Sequence, residues 1–273
     1  MYREADEGPD LPLDFIIQDQ LRLTLTTVQH AVTTGRGMLA YQPVMQVDHT
    51  DRPAFYEGLI RILDETGRVV PLSDFMPYAE ATDLGRQIDC LSLSLGLQTL
   101  VANPDLRLSI NMSARSMNHP EWLETLHWGT GTDDRIAERL VLEVTESSAM
   151  GLPDLVIPFM REWQARGVSF AIDDFGAGYT SFRYLRDFCF DMIKIDGQFI
   201  RDIAHHPDNQ VLVAALISIA HHFDMFTVAE AVETADEADF LARMGVDCLQ
   251  GFHFGLPSLV APAGTVLPLT RAH

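Results

Sequence analysis

From about residue 106 to residue 250, short runs of β-branched and aliphatic residues alternate with helix-length amphipathic stretches, and nothing else in the chain restricts its fold as strongly. The pattern predicts strands over 106–111, 140–144, 168–174, 191–195, 226–229 and 247–250. Helices are predicted over 84–101, up to about 126, and over 153–166, 209–222 and 235–244. Upstream, strand-like segments 38–47 and 54–63 flank the turn-rich DHTDRP and read as a β-hairpin, and Ser73 is placed to cap a short helix ending at Ala79. Eight strands with helices between most of them predict an α/β fold, a TIM-like (β/α)8 barrel with an antiparallel first strand. An open doubly wound sheet is the alternative, but no G-x-G-x-x-G follows the first strand.

The expected organisation is an acidic tail and lead-in helix over 1–36, one barrel over 37–260 and a short tail over 261–273, since no linker-like stretch interrupts the alternation. In the lead-in segment, Phe15, Leu21, Leu25 and Val28 recur at roughly helical spacing. This helix either packs on the domain or joins it to something upstream.

The formal charge of −20, from 39 acids and 19 bases, argues against a nucleic-acid polymer as partner, because phosphate binding by counterion release needs basic surface. A small anionic ligand is compatible if local cations or metals receive it. Cys90, Cys189 and Cys248 are odd in number and unrelated in spacing, so they read as reduced core thiols rather than a disulfide frame or a zinc site. The longest apolar run, 211–220, is about half a membrane span. A cytoplasmic protein without membrane insertion is the expectation.

In a barrel of this kind the chemistry gathers where strands end. The residues there are Asn111, Glu143, Asp173 with Asp174, Lys194, Glu230 and Gln250, with Glu57 inside the second strand. Any one of them would serve as a helix cap, but seven successive strands presenting a carboxylate, a carboxamide or the sole lysine exceed what capping explains. Eighteen of the 19 basic residues are arginine, which makes Lys194 conspicuous. Oxygen donors without histidine or cysteine suit Mg²⁺ or Mn²⁺ rather than zinc, and paired ions on such a rim activate water for in-line displacement at phosphorus. Lys194 would then orient the water or stabilise developing charge, and Arg61 offers a fork for phosphate. The residues alone therefore point to metal-dependent hydrolysis of a small phosphate ester. A metal-independent glycosidase using Glu143 and Glu230 is a remote alternative, weakened because none of Trp122, Trp128 and Trp163 ends a strand. Of the remaining candidates, the pairs His205–His206 and His221–His222 flank a helix and read as solvated helix ends, and His253 reads as packed.

Ordered motifs between residues 39 and 257 resemble the EAL-domain cyclic-di-GMP phosphodiesterases of bacterial signalling. They are YQPV (41–44), EGLIR (57–61), NMS (111–113), LEVTE (142–146), DDFGAGYTS (173–181), KID (194–196), AEAVET (229–234) and QGF (250–252). The resemblance implies two divalent cations, Mg²⁺ or Mn²⁺ with Ca²⁺ inhibitory, on Glu57, Asn111, Glu143, Asp173, Asp174 and Glu230. It implies that Lys194 acts on the water, with Glu230 also catalytic, and that Gln42, Leu59, Arg61, Asp196 and Gln250 lie at the dinucleotide. Glu146 is implied to anchor the glycine loop after Asp174. Hydrolysis of cyclic di-GMP to pGpG follows as the expected reaction, with a catalytically silent cyclic-di-GMP receptor as the alternative. A homodimer and an upstream GGDEF or sensor domain are further implications. Three positions depart from the family pattern: Gly58 for alanine, Ile62 where tryptophan is common, and Ala231 for glycine after Glu230. If position 231 needs a positive φ, alanine there carries strain.

Overall fold

Alternation of inward and outward side chains along eight strands closes the sheet on itself. In the computed structural model, which describes residues 12–131, 133–177 and 185–262, β1 (Gly37–Gln46) pairs antiparallel with both β2 (His49–Leu63) and the last strand. A two-residue β3 (Val69–Val70) extends the C-terminal end of β2. The barrel then continues in parallel through β4 (Leu108–Asn111), β5 (Leu140–Thr145), β6 (Ser169–Phe175), β7 (Met192–Ile195), β8 (Phe226–Ala229) and β9 (Cys248–Gln250). The predicted barrel and its antiparallel first strand are both present.

Helices α1 (Pro12–Thr33), α2 (Asp83–Ala102), α3 (Pro120–Thr130), α4 (Pro153–Gln164), α5 (Pro207–His222) and α6 (Ala235–Met244) surround the sheet. Their ends follow local chemistry. Proline stands in the first turn of α3, α4 and α5, where its missing N–H costs nothing. Helix α6 opens on a capping box made by Thr234 and Glu237 and closes on Gly245 at φ 86. The lead-in helix packs on the domain through Val28, Ala31 and Val32, while Ile17 and Leu23 stay exposed.

Three details differ from the sequence reading. The hairpin turn is only Val47–Asp48, so DHTDRP mostly belongs to β2, with the register shifts between Val44 and Gln46 absorbing Pro53 opposite Met45. Ser73 lies inside a 3₁₀ turn, Leu72–Asp74, rather than capping a helix. The cysteines are not all core thiols: Cys90 and Cys248 are buried but Cys189 is exposed.

Inside the barrel one apolar layer forms a floor. Val44, Phe55, Val141, Ala171, Met192, Val228 and Cys248 are buried together there, one from each strand except β3 and β4. At roughly 1.5–3 kcal/mol for each large side chain removed from water, this layer stabilises the closed sheet. It also dictates what stands above it, because side chains two residues apart share a face. Two positions towards the mouth from these residues lie Gln42, Glu57, Glu143, Asp173, Lys194, Glu230 and Gln250, and Asn111 stands in the same relation to buried Ser109.

Candidate active site

Lys194 is 1% exposed and lies at the centre of this polar layer. Its Nζ is 2.8 Å from Glu143 Oε2, 2.8 Å from Glu230 Oε1, 3.1 Å from Asp173 Oδ1 and 3.4 Å from Glu57 Oε2. An ammonium buried this deeply costs several kcal/mol in lost hydration and is retained only with close anionic partners. Burial works to strip its proton, but Asp173, Glu143, Glu230 and Glu57 together hold its pKa well above the ordinary lysine value.

Four carboxylates around one ammonium leave an excess of negative charge, and the groups divide accordingly. Burial opposes ionisation of Glu57, yet the Lys194 charge and hydrogen bonds from Gln250 and Asn111 outweigh it and lower its pKa. Asn111 Nδ2 donates to Glu57 Oε1 at 2.6 Å, and Gln250 Nε2 donates to Oε2 at 2.5 Å. Glu143 goes the other way: burial, then the charge of Glu57, raises it far above the carboxylate range. Burial also pushes Glu230 up to about 8, although Lys194 pulls against it. Asp174 rises to about 6 through burial and the charges of Asp173 and Asp196. A site that sheds its excess negative charge by taking up protons is one that a divalent cation would relieve.

The donor set fits such cations. Carboxylate oxygens of Asp173, Asp174 and Glu230 lie within 4.8 Å of one another. Among the described residues, Glu143 Oε1 is buried without a hydrogen-bond partner, and Asp173 Oδ1 has only its ion pair with Lys194. With Nδ2 of Asn111 committed to Glu57, its carbonyl oxygen is the atom left for a metal. All these donors are hard oxygens, the set preferred by Mg²⁺ and Mn²⁺.

Two cavities flank the cluster. One of about 420 Å³ is bounded by Gln42, Glu57, Asp196, Arg201, Glu230 and Gln250. The other, of about 300 Å³, has Leu59, Met76 and Ile88 in its walls, with Asn111, Asp173 and Asp174 at its inner edge. Glu146 accepts a hydrogen bond from the Gly176 N–H at 3.0 Å, which ties the end of β6 to the helical turn after β5. The rest of the glycine loop, including Gly178, lies outside the described residues.

The structure brings together Glu57, Asn111, Glu143, Asp173, Asp174, Lys194, Glu230, Gln42 and Gln250. Arg61 does not join them directly, since its Nη1 donates to the Ile60 carbonyl at 3.0 Å. Asp196 lines the larger cavity while its Oδ1 accepts from the Gln198 N–H at 2.6 Å, capping the next helical turn. Arg201 was not legible from sequence. It borders the larger cavity, with Nε 3.9 Å from Glu233 Oε1, because the loops after β7 and β8 meet there. Ala231, directly after Glu230, has φ 52, so the condition for strain is met. The histidines take no part in the site: His205 pairs with Asp202, His221 reaches buried Asp247 at 3.0 Å, and His253 is exposed rather than packed. Trp122 and Trp163 are buried, and no tryptophan borders either cavity, so among the described residues a glycosidase would have only Phe252 at the larger one as an aromatic platform.

The EAL domain family model matches residues 26–257. The chain belongs to the EAL domain family. Among its relatives, the bifunctional diguanylate cyclase/cyclic di-GMP phosphodiesterase MucR of Pseudomonas aeruginosa is 30% identical over 270 residues, covering 94% of this chain. This chain spans 39% of that relative's length. The c-di-GMP complex of the PaMucR phosphodiesterase superposes with TM-score 0.74 at 29% identity, over 86% of this chain and 97% of that one. The manganese/cy-diGMP complex of Klebsiella pneumoniae BlrP1 superposes with TM-score 0.71 at 28% identity, over 82% of this chain and 56% of that one. Against the EAL motif, Ile62 is fully buried in the core. An added Cβ at Gly58 would meet Ile110 Cδ1 at 2.8 Å, so in this chain Ile110 occupies the space of the missing methyl.

Proposed function

We propose that this EAL domain hydrolyses one phosphodiester of cyclic di-GMP to give linear pGpG. The observation that carries the reading is Lys194, buried at the centre of Glu57, Glu143, Asp173 and Glu230, with Glu143 Oε1 lacking a donor among the described residues. Two Mg²⁺ or Mn²⁺ ions held by Glu57, Asn111, Glu143, Asp173, Asp174 and Glu230 would supply an activated water and neutralise phosphoryl oxygens. Ca²⁺, larger and looser in its coordination, would bind without supporting turnover.

Within that frame the side chains divide the work. Lys194 orients the attacking water and, kept cationic by its neighbours, offsets charge building on the phosphorane oxygens. Glu230, a proposed ligand 2.8 Å from Lys194 Nζ, would share with that ammonium the positioning of the water. Gln250 and Asn111 keep Glu57 ionised and oriented. Gln42, Leu59 and Asp196 bound the two cavities, which suit a cyclic phosphate ring with a base on either side. Arg61, at the end of β2, would turn its guanidinium to a phosphate. The implied homodimer, an upstream GGDEF or sensor domain and a cytoplasmic location belong to the same proposal.

A second reading, binding without turnover, is favoured by the strained Ala231 beside Glu230. Incubation with cyclic di-GMP in Mg²⁺, Mn²⁺, Ca²⁺ or EDTA, followed by chromatography, separates the two. Linear pGpG formed only with Mg²⁺ or Mn²⁺ is the expected result, and intact nucleotide that still binds by calorimetry establishes the receptor. Glu57→Ala should lower turnover by about 10³-fold or more, the rate equivalent of several kcal/mol of metal stabilisation, with an unchanged circular dichroism spectrum. Retained turnover in that variant refutes the ligand assignment.

A further inference from the structure

Away from the barrel mouth, α2 and α3 bring a thiol, an imidazole and a carboxylate to one point. Cys90 lies in the middle of α2 with its side chain buried. His119 is the residue before α3 and makes no capping hydrogen bond with its side chain, and Glu121 stands in the first turn of the same helix. Cys90 Sγ is 3.8 Å from His119 Nδ1, and one donor atom from each of the three lies within 4.8 Å of the others. Sulfur and nitrogen bound to one tetrahedral zinc, at about 2.3 and about 2.0 Å, are roughly 3.6 Å apart. The observed separation is therefore close to that of a ligand pair before a metal draws it together.

We propose that Cys90, His119 and Glu121 form a binding site for a thiophilic divalent cation, Zn²⁺ being the ion this donor set suits. Three protein donors with the fourth position open is the pattern of an accessible zinc site. Space for a water ligand and for entry is present, since Cys90 and Glu121 border a cavity of about 430 Å³ that also touches Gln87 and Thr125. Without a cation the sulfur stays a neutral thiol: burial, then the carboxylates of Glu121 and Asp89, pushes Cys90 up to about 12. A bound dication reverses that balance, the thiol proton passing to solvent as the sulfur–metal bond forms. The spacing of the cysteines gave no hint of this site, because Cys90 on α2 and His119 before α3 are 29 residues apart in sequence. Asp89, next to Cys90, accepts from the Ser113 N–H and the Ser116 hydroxyl, so the cation would brace the segment that begins at Asn111.

Cobalt(II) substitution tests the assignment, because a sulfur-to-cobalt charge-transfer band reports a thiolate ligand and the oxygen-donor site at the barrel mouth cannot produce one. Metal-stripped protein titrated with Co²⁺ should show the band, Zn²⁺ should displace it, and Cys90→Ser should abolish it while Cys189→Ser leaves it intact. His119→Gln and Glu121→Gln should each weaken Co²⁺ binding at this band by roughly tenfold or more, at least the loss seen when groups supporting a metal's ligands are removed. No band in the wild-type protein overturns the proposal. A band that follows Cys189, or one unchanged in both His119→Gln and Glu121→Gln, overturns it equally. The readout is independent of cyclic di-GMP turnover.

Discussion

Replacing Ala231 by glycine should stabilise this protein by about 0.5–1 kcal/mol. Ala231 sits at φ 52, a region that costs a residue bearing a Cβ about 1–2 kcal/mol. The backbone on either side cannot relax to avoid it. Glu230 N–H donates to Ile195 at 3.2 Å, Val232 N–H donates to Gln250 at 3.0 Å, and the Val232 carbonyl accepts from His253 at 3.1 Å. Glycine removes the strain but loses about 0.5–1 kcal/mol through the greater freedom of the unfolded chain, so a mid-range strain of about 1.5 kcal/mol leaves the net gain stated. Little packing is lost, because Ala231 is only partly buried. Urea unfolding followed by circular dichroism, in EDTA so that no metal contributes, should show a higher midpoint, with a rise in Tm of about 1–4 °C. Ala231→Val should move both in the opposite direction, since a β-branched side chain tolerates this region least. A midpoint unchanged or lowered in Ala231→Gly would refute the strain argument, and with it the case for a receptor that binds without turnover.

Two further perturbations test other parts of the structure. Burial pushes the Asp89 carboxyl up to about 7 despite the hydrogen bonds it accepts from Ser116 and Ser113. The folded state thus holds a proton that the unfolded chain releases near pH 4, so stability should fall between about pH 4 and about pH 7, by up to roughly 4 kcal/mol. Asp89→Asn should flatten that part of the pH–stability profile, and an unaltered slope would show that Asp89 is ionised in the fold. Gly58→Ala should cost about 1–3 kcal/mol, because the new methyl meets Ile110 Cδ1 and Gly96, across that side chain, already holds it closely. Ile110→Val should recover most of this loss in a double-mutant cycle. Additive effects would mean that Ile110 does not fill the missing methyl's space.

Much of the site was legible because a barrel gathers its chemistry where strands end, and Glu143, Asp173, Lys194 and Glu230 fall there. The sole lysine marked the centre for the same reason. The structure adds that each of the four stands two residues above Val141, Ala171, Met192 or Val228, which share the floor. Illegible features were those made by contacts between distant segments. The hairpin itself was legible but its turn was drawn too long, because Pro53 reads as a turn residue, yet opposite a register shift it is tolerated in β2. Arg201 reaches the cleft only through the meeting of two loops, and His221 reaches Asp247 only because α5 packs on β8, whose Thr227 also bonds Asp247.

The sequence by itself determined which residue types end the strands, and hence a barrel whose mouth is crowded with oxygen donors around one ammonium. Local periodicity and side-chain chemistry carry that information. Only the tertiary structure decided how the charge is shared, because burial and distance make Glu57 an anion and Glu143 a carboxyl held far above its ordinary range. It also decided that Ala231 must adopt a left-handed backbone, and that Cys90 and His119 meet across two helices. Backbone strain and electrostatic coupling depend on ångström-scale positions of groups far apart in the chain, and no pattern along the chain records those positions.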